Sequence, residues 1–347
     1  NELNNTIQGN NGDNTLDGKG GDDRIYGGKG ENILVGGAGF DLVDYSTHFT
    51  TIDVDLLIGL GRGGLDEISG FEGAIGTNGS DDLLGDNNDN YFEGGKGADK
   101  IDGRDGVDGV GYAGRIGGIT VDLANQLQLG ADGDELISIE NVYGTSYSDI
   151  FYGNEVANYF SGGSGNDKFY GRGGADRFHG DSSADIFYLE ADAVKDARNG
   201  IIDTLLDFNQ GNDRNHYYYS GEDDAIDLTG TLALLYPALD ALSLSDRVRL
   251  EQNADNTSTS LYLLDIDDNW LRIAQLEGVR TGSAVKLLLN EYGLPFIKTV
   301  DGGINAPSTW SITPSTSSIT EANTSIDLVI TRSSALEAKT VYLSTTV

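Results

Sequence analysis

The sequence predicts an all-β chain: a solenoid of very short strands and glycine-rich turns, then a cap, then a final stretch of longer alternating strands. Two observations point there first. An apolar residue returns at every ninth position through three blocks, and the 50 glycines of the 347 residues gather in the turns between those positions. Were they scattered, so much glycine with a formal charge of -34, from 22 basic and 56 acidic residues, would favour disorder.

The first block (3–44) carries Ile7, Leu16, Ile25, Leu34 and Val43, and two residues before each stands Asn5, Asn14, Asp23, Asn32 or Asp41. The second (76–111) carries Leu83, Phe92, Ile101 and Val110, led by Asp81, Asn90, Asp99 and Asp108. The third (144–188) carries Phe151, Phe160, Phe169, Phe178 and Phe187, led by Asp149, Asn158, Asp167, Asp176 and Asp185. Glycine permits positive-φ turns, bare carbonyls can face a cation, and aspartate adds a hard anionic oxygen. The apolar side chain is left to point inward.

These fourteen units of the form G-G-x-G-x-D-x-U-x, with U apolar, resemble the calcium-binding RTX (hemolysin-type) repeat of proteins exported by type I secretion. The resemblance implies a parallel β-roll in which two nonapeptides complete one coil, so residues 18 apart stack and Ca²⁺ sits between successive turns. Asp149, Asp167 and Asp185 then share one side, with Asn158 and Asp176 on the other. Asp23 and Asp41 stack with Asn5, whereas Asn14 and Asn32 form an amide-only stack expected to bind weakly or not at all, because each Asn removes a formal charge.

The breaks between blocks are related to one another. DLVDYSTHFTTIDVDL (41–56) matches DGVGYAGRIGGITVDL (108–123), and the segment 66–86 matches 134–154, giving a longer repeat of about 67 residues. Alternating Ile52, Val54, Leu56 and Ile119, Val121, Leu123 read as strands with one buried face, continuing the solenoid with wider rungs. Asp66, Glu72, Asp134 and Glu140 recur at matching places; solvated loop charge is the favoured reading, with rung capping or ion ligation as the alternative.

The roll is expected over 1–225, a cap over 226–300 and a linker at DGGINAPS (301–308). The segment after Phe187 resembles the end of the serralysin-type C-terminal domain, which makes Asp203, Asp207 and Asp227 ligands or turn formers. Residues 309–347 resemble the opening strands of a Calx-β domain, an immunoglobulin-like β-sandwich. Glu321 stands where some such domains place a calcium ligand. Only 39 residues of this last unit are present, so either the sandwich is cut short or a partner supplies its remaining strands.

No cysteine or methionine is present, which leaves oxygen-ligated cations as the staple available to the fold. An acidic surface argues against nucleic acid and anionic membranes, and no apolar run approaches the roughly 20 residues of a membrane span. The N-terminus has neither the basic nor the apolar region of a signal peptide, and the missing initiator Met reads as a piece of something longer.

His48, His179 and His216 lie far apart, and HExxH, G-x-S-x-G and GxxxxGK[ST] are all absent, so no enzyme is expected. His179 reads as a solvated outward residue and HYYYSG (216–221) as cap packing. The expected role is that of a calcium-dependent structural or adhesive protein of the extracellular surface, exported unfolded and folded by Ca²⁺, self-associating into a filament or sheath or holding a surface polysaccharide. The alternatives are the noncatalytic portion of a secreted hydrolase or polysaccharide-modifying enzyme, and a carbohydrate-binding module.

Overall fold

The computed structural model describes residues 1–128, 131–208, 224–237, 244, 246–254, 257–279, 284–289, 296–299, 309–314, 325–333 and 340–346. The chain divides into two compact units, 1–302 and 303–347. The larger is a solenoid whose repeat follows directly from the nonapeptide. Most of the apolar residues are the middle of a three-residue strand, Leu16 and Leu34 standing in six-residue strands, and within each block they pair in parallel with the counterpart 18 residues on: Ile7 with Ile25, Leu83 with Ile101, Phe151 with Phe169 and Phe160 with Phe178. One coil is therefore two nonapeptides.

Alternate strands fall on opposite sides. A 13-stranded sheet runs the whole length of one side, while the other is covered first by a 9-stranded and then by a 7-stranded sheet. Because successive residues of a strand face opposite ways, only the central one enters the space between sheets. Ile25, Leu34, Leu83, Phe92, Phe151 and Phe187 are accordingly 0% exposed. In the third block the phenylalanines stack, with centroids 5.3 Å apart from Phe151 to Phe169 and 5.1 Å from Phe169 to Phe187. A core one residue wide per strand is thin, and burying each such ring contributes about 1.5–3 kcal/mol.

The breaks widen the rungs. After Leu42–Asp44 the chain forms Asp53–Asp55, Leu60–Gly61 and Asp66–Ser69 as an antiparallel meander inserted into the 9-stranded sheet. Its outer members pair in parallel with the nonapeptide strands on either side, Val54 with Leu83 and Ile68 with Leu34. The second break repeats this with Leu127–Gln128 against Asp134–Ile137, but Thr120–Asp122 pairs instead into the 7-stranded sheet. One side of the solenoid therefore changes sheet while the other continues unbroken.

The parallel ladder does not stop at 225, where the sequence placed the end of the roll. Asp203–Leu205 pairs with Trp270–Glu277, and Ala225–Asp227 with Ala284–Leu288, so both sheets run on through the expected cap. Antiparallel strands Val248–Gln252 and Ser258–Leu264 then close one sheet, and Phe296–Thr299 closes the other. This is how the exposed edge of a parallel stack is terminated. In the smaller unit Thr309–Pro314, Ser325–Ser333 and Thr340–Thr346 form an antiparallel three-stranded sheet. Glu321, the linker 301–308 and HYYYSG lie outside the described residues.

Candidate metal centres

The residue two before each apolar position closes a turn, and its side chain does something the repeat pattern did not disclose. In most coils it accepts a hydrogen bond from the backbone N–H of its counterpart one coil earlier, whereas Asp81 and Asp149 take the N–H of Ile52 and Ile119, and Asn90 and Asn158 that of Asp86 and Asn154 in their own turns. Along one edge Asn5 N–H donates to Asp23 Oδ1 (2.7 Å), Asp23 N–H to Asp41 (2.7 Å) and Asp41 N–H to Glu72 Oε2 (2.7 Å). The same edge continues through Asn90 to Asp108 (2.7 Å), Asp108 to Glu140 (2.9 Å), Asn158 to Asp176 (2.8 Å) and Asp176 to Asp203 (3.1 Å).

The opposite edge has its own ladder. Asn14 N–H donates to Asn32 (3.0 Å) and Asn32 to Asp66 (2.9 Å), then Asp81 to Asp99 (2.9 Å) and Asp99 to Asp134 (3.0 Å). Asp149 donates to Asp167 (2.7 Å), Asp167 to Asp185 (2.8 Å) and Asp185 to Asp224 (3.0 Å). Asp66 and Asp134 are 0% exposed and Glu72 and Glu140 are half-buried, so the reading of these four as solvated loop charge is corrected: each takes the ladder place of a repeat aspartate. The longer repeat is 68 residues from this point on, with Glu72, Asn90 and Asp108 recurring as Glu140, Asn158 and Asp176.

The ladder uses one oxygen of each carboxylate. The other, Oδ2 of Asp23, Asp41, Asp99, Asp108, Asp167, Asp176 and Asp185, is buried and has no hydrogen-bond partner. An unsatisfied buried charge is expensive, and burial accordingly pushes Asp99, Asp108 and Asp167 up to about 7, and Asp176 and Asp185 up to about 9. A cation on Oδ2 removes that cost.

The turn leaves room for one. A Cβ built on Gly18 would meet Gly36 O at 2.5 Å and run into Asp23 Oδ2, and one on Gly144 would meet Asp149 Oδ2 and Gly162 O, both at 2.5 Å. Glycine thus opens a cradle walled by a carboxylate oxygen and the backbone carbonyl of the next coil. The donors are all hard oxygens, with no thiol or imidazole among them, which fits Ca²⁺.

The expected ligands are not equivalent. Asp81 and Asp149 have both oxygens engaged: Thr77 N–H donates to Asp81 Oδ2 (2.5 Å) and its hydroxyl to Oδ1 (3.1 Å), and Thr145 repeats this on Asp149 (2.6 and 3.0 Å). The amides of Asn90 and Asn158 turn an N–H₂ onto the carbonyls of Glu72 (3.3 Å) and Glu140 (3.2 Å). In the Asn14–Asn32 stack both amides likewise donate up the ladder, to Asn32 Oδ1 (3.1 Å) and Asp66 Oδ1 (2.9 Å). An Asn in the ladder is therefore self-sufficient where an Asp is not.

Beyond the blocks, Asp203 joins the ladder and burial pushes it up to about 7, whereas Asp207 and Asp227 hold turns. Asp207 accepts Gly180 N–H (2.8 Å) and Asp181 N–H (2.7 Å), and Asp227 accepts Thr229 N–H (2.7 Å). Half-exposed His179 lies outward, 3.0 Å from Asp181 and 3.5 Å from Asp207.

The RTX calcium-binding nonapeptide repeat family matches this chain in four stretches, 2–43, 75–110, 143–178 and 152–187. Those stretches coincide with the three blocks, so the turns of the three blocks are RTX calcium-binding repeats. Among curated proteins, none matches the chain.

Proposed function

We propose that this chain is a calcium-dependent structural or adhesive element of the extracellular surface, exported unfolded and folded by calcium. The observation that carries the reading is the pair of carboxylate ladders along both edges of one solenoid, seven of whose members keep a buried oxygen without a partner. At low calcium these charges repel across a core only one residue wide per strand. At the millimolar calcium outside cells, sites of roughly 10⁻⁴–10⁻³ M affinity fill, and binding energy becomes folding energy. Bound Ca²⁺ supplies the positive charge; the chain supplies the carbonyls, the carboxylates and the spacing between them.

No catalytic role is assigned. The outward tyrosines give no support to a sugar platform, because Tyr152, Tyr170 and Tyr188 stack on one another at 4.6 and 4.0 Å and Arg172 lies over Tyr152. Both faces of Tyr170 are covered. The smaller unit, with its resemblance to the start of a Calx-β domain, is the part assigned to joining copies or neighbouring modules into a filament or sheath. Sedimentation of the full chain with and without calcium tests this reading: calcium-dependent large assemblies are expected, and a folded chain that stays monomeric at high concentration and saturating calcium overturns the assembly role.

A further inference from the structure

Two ladder carboxylates differ from the rest in what meets their second oxygen. Asp66 and Asp134, in the two inserted rungs, are 0% exposed, and each accepts the ladder N–H through Oδ1, at 2.9 and 3.0 Å. Their Oδ2 atoms are not orphaned. Arg62 Nε donates to Asp66 Oδ2 (2.7 Å), and Arg115 Nη2 donates to Asp134 Oδ2 (3.3 Å). The same guanidinium groups also donate to a backbone carbonyl, Arg62 to Gly30 and Arg115 to Ala131. A carboxylate and a turn carbonyl are the donor types that the neighbouring turns offer to calcium.

We propose that Arg62 and Arg115 are tethered substitutes for calcium, making the two inserted rungs members of the ladders that bind none. Both arginine side chains are only 11% exposed, and an arginine does not lose its charge in the accessible pH range. A chelator cannot remove it.

The strongest support is that the two cations arrive from different places in the sequence. Arg62 stands in the turn four residues before Asp66, whereas Arg115 stands nineteen residues before Asp134. When the two long repeats are aligned, His48 occupies the place of Arg115 and Gly130 the place of Arg62. The sequence position changed while the charge stayed on the same carboxylate. Arg62 moreover adopts φ 47°, a region that a side chain other than glycine occupies at a cost.

Arg104 and Arg172 are a useful contrast. They stand at the same turn position as Arg62, with φ 69° and 63°, but clamp Asp55 and Asp122 on the inserted strands and leave Asp108 and Asp176 with an orphaned oxygen. An arginine at this place in the turn is thus not sufficient. Its guanidinium must reach the ladder carboxylate. The edge that carries Asp66 and Asp134 is consequently divided into three stacks joined by carboxylates whose neutralising charge is built in, while the other edge continues through Glu72 and Glu140.

The inference rests on calcium occupying the repeat turns, and its test separates the two. Bound calcium per chain is counted by equilibrium dialysis and atomic emission on the full chain at saturating calcium. Asp134→Asn and Asp66→Asn keep the Oδ1 acceptor, and each is expected to leave the count unchanged, while Asp167→Asn lowers it by about one. Arg115→Gln frees the Asp134 carboxylate and is expected to raise the count by about one. A loss of one calcium in Asp134→Asn overturns the substitution, as does an unchanged count in a folded Arg115→Gln. No calcium on the unaltered chain would instead defeat the calcium reading itself.

Discussion

Asp167→Asn should change the stability of the solenoid in opposite directions with and without calcium. The substitution keeps Oδ1, which accepts Asp149 N–H at 2.7 Å, and puts an amide where the partnerless Oδ2 stands. Asn32 shows the ladder accepting such an amide, its Oδ1 taking the Asn14 N–H (3.0 Å) and its N–H₂ donating to Asp66 Oδ1 (2.9 Å). In chelator the variant loses a buried charge that burial already holds up to about 7, so at pH 8 it should be more stable than the parent. In about 10 mM calcium it loses one site. With a dissociation constant of roughly 10⁻⁴–10⁻³ M, the linkage RT ln(1 + [Ca²⁺]/Kd) puts that loss at about 1.4–2.7 kcal/mol. Urea unfolding in calcium reads the loss, and the β signal retained in chelator at pH 8, followed by far-UV circular dichroism, reads the gain. A loss in calcium accompanied by a lower β signal in chelator would refute the argument, because it would make Asp167 a hydrogen-bonding residue with no metal to hold.

Four further outcomes are expected. Without calcium, raised carboxylates mean that the folded form binds more protons than the unfolded one between about pH 4 and the folded values near 7 and 9. Their contribution is therefore fully present below about pH 4 and lost as pH rises through 7 to 9, so in chelator the chain should hold more β signal by far-UV circular dichroism at pH 5 than at pH 8.5. Phe169→Ala removes a fully buried ring stacked between Phe151 and Phe187 and should cost about 3–5 kcal/mol in calcium, read by urea unfolding. Arg172→Ala frees Asp122 from a two-pronged pair (2.5 and 3.0 Å) whose side chains are 28% and 22% exposed, for a loss of about 1 kcal/mol. Arg172→Gly should lose less than Arg172→Ala in the same assay, because φ at this position is 63°.

The nine-residue period made the architecture legible. It sets the 18-residue register of Ile7 with Ile25 and of Phe151 with Phe169, because a three-residue strand admits one inward side chain and a coil holds two strands. What the period hid was the ladder across the breaks. Asp66, Glu72, Asp134 and Glu140 lie 31 to 35 residues from the N–H groups they accept, so a search for steps of 18 passes over them. A signal was present all the same: the two long repeats align these four acids pairwise, and an acid kept at matching places in two copies is poorly explained as loop solvation.

The difference between Asp99 and Asp81 was not readable either. Both fill the same motif place, but Thr77 satisfies the second oxygen of Asp81, whereas that of Asp99 stays bare. Thr145 repeats the device at Asp149, so threonine in place of the second turn glycine is the residue to look for.

The most direct test of calcium as the folding cation is a titration of Ca²⁺ into the chelated full chain, followed by far-UV circular dichroism. A cooperative rise of β signal at millimolar calcium, reversed by chelator, is the expected result. A β signal already complete in chelator and indifferent to added calcium would contradict it.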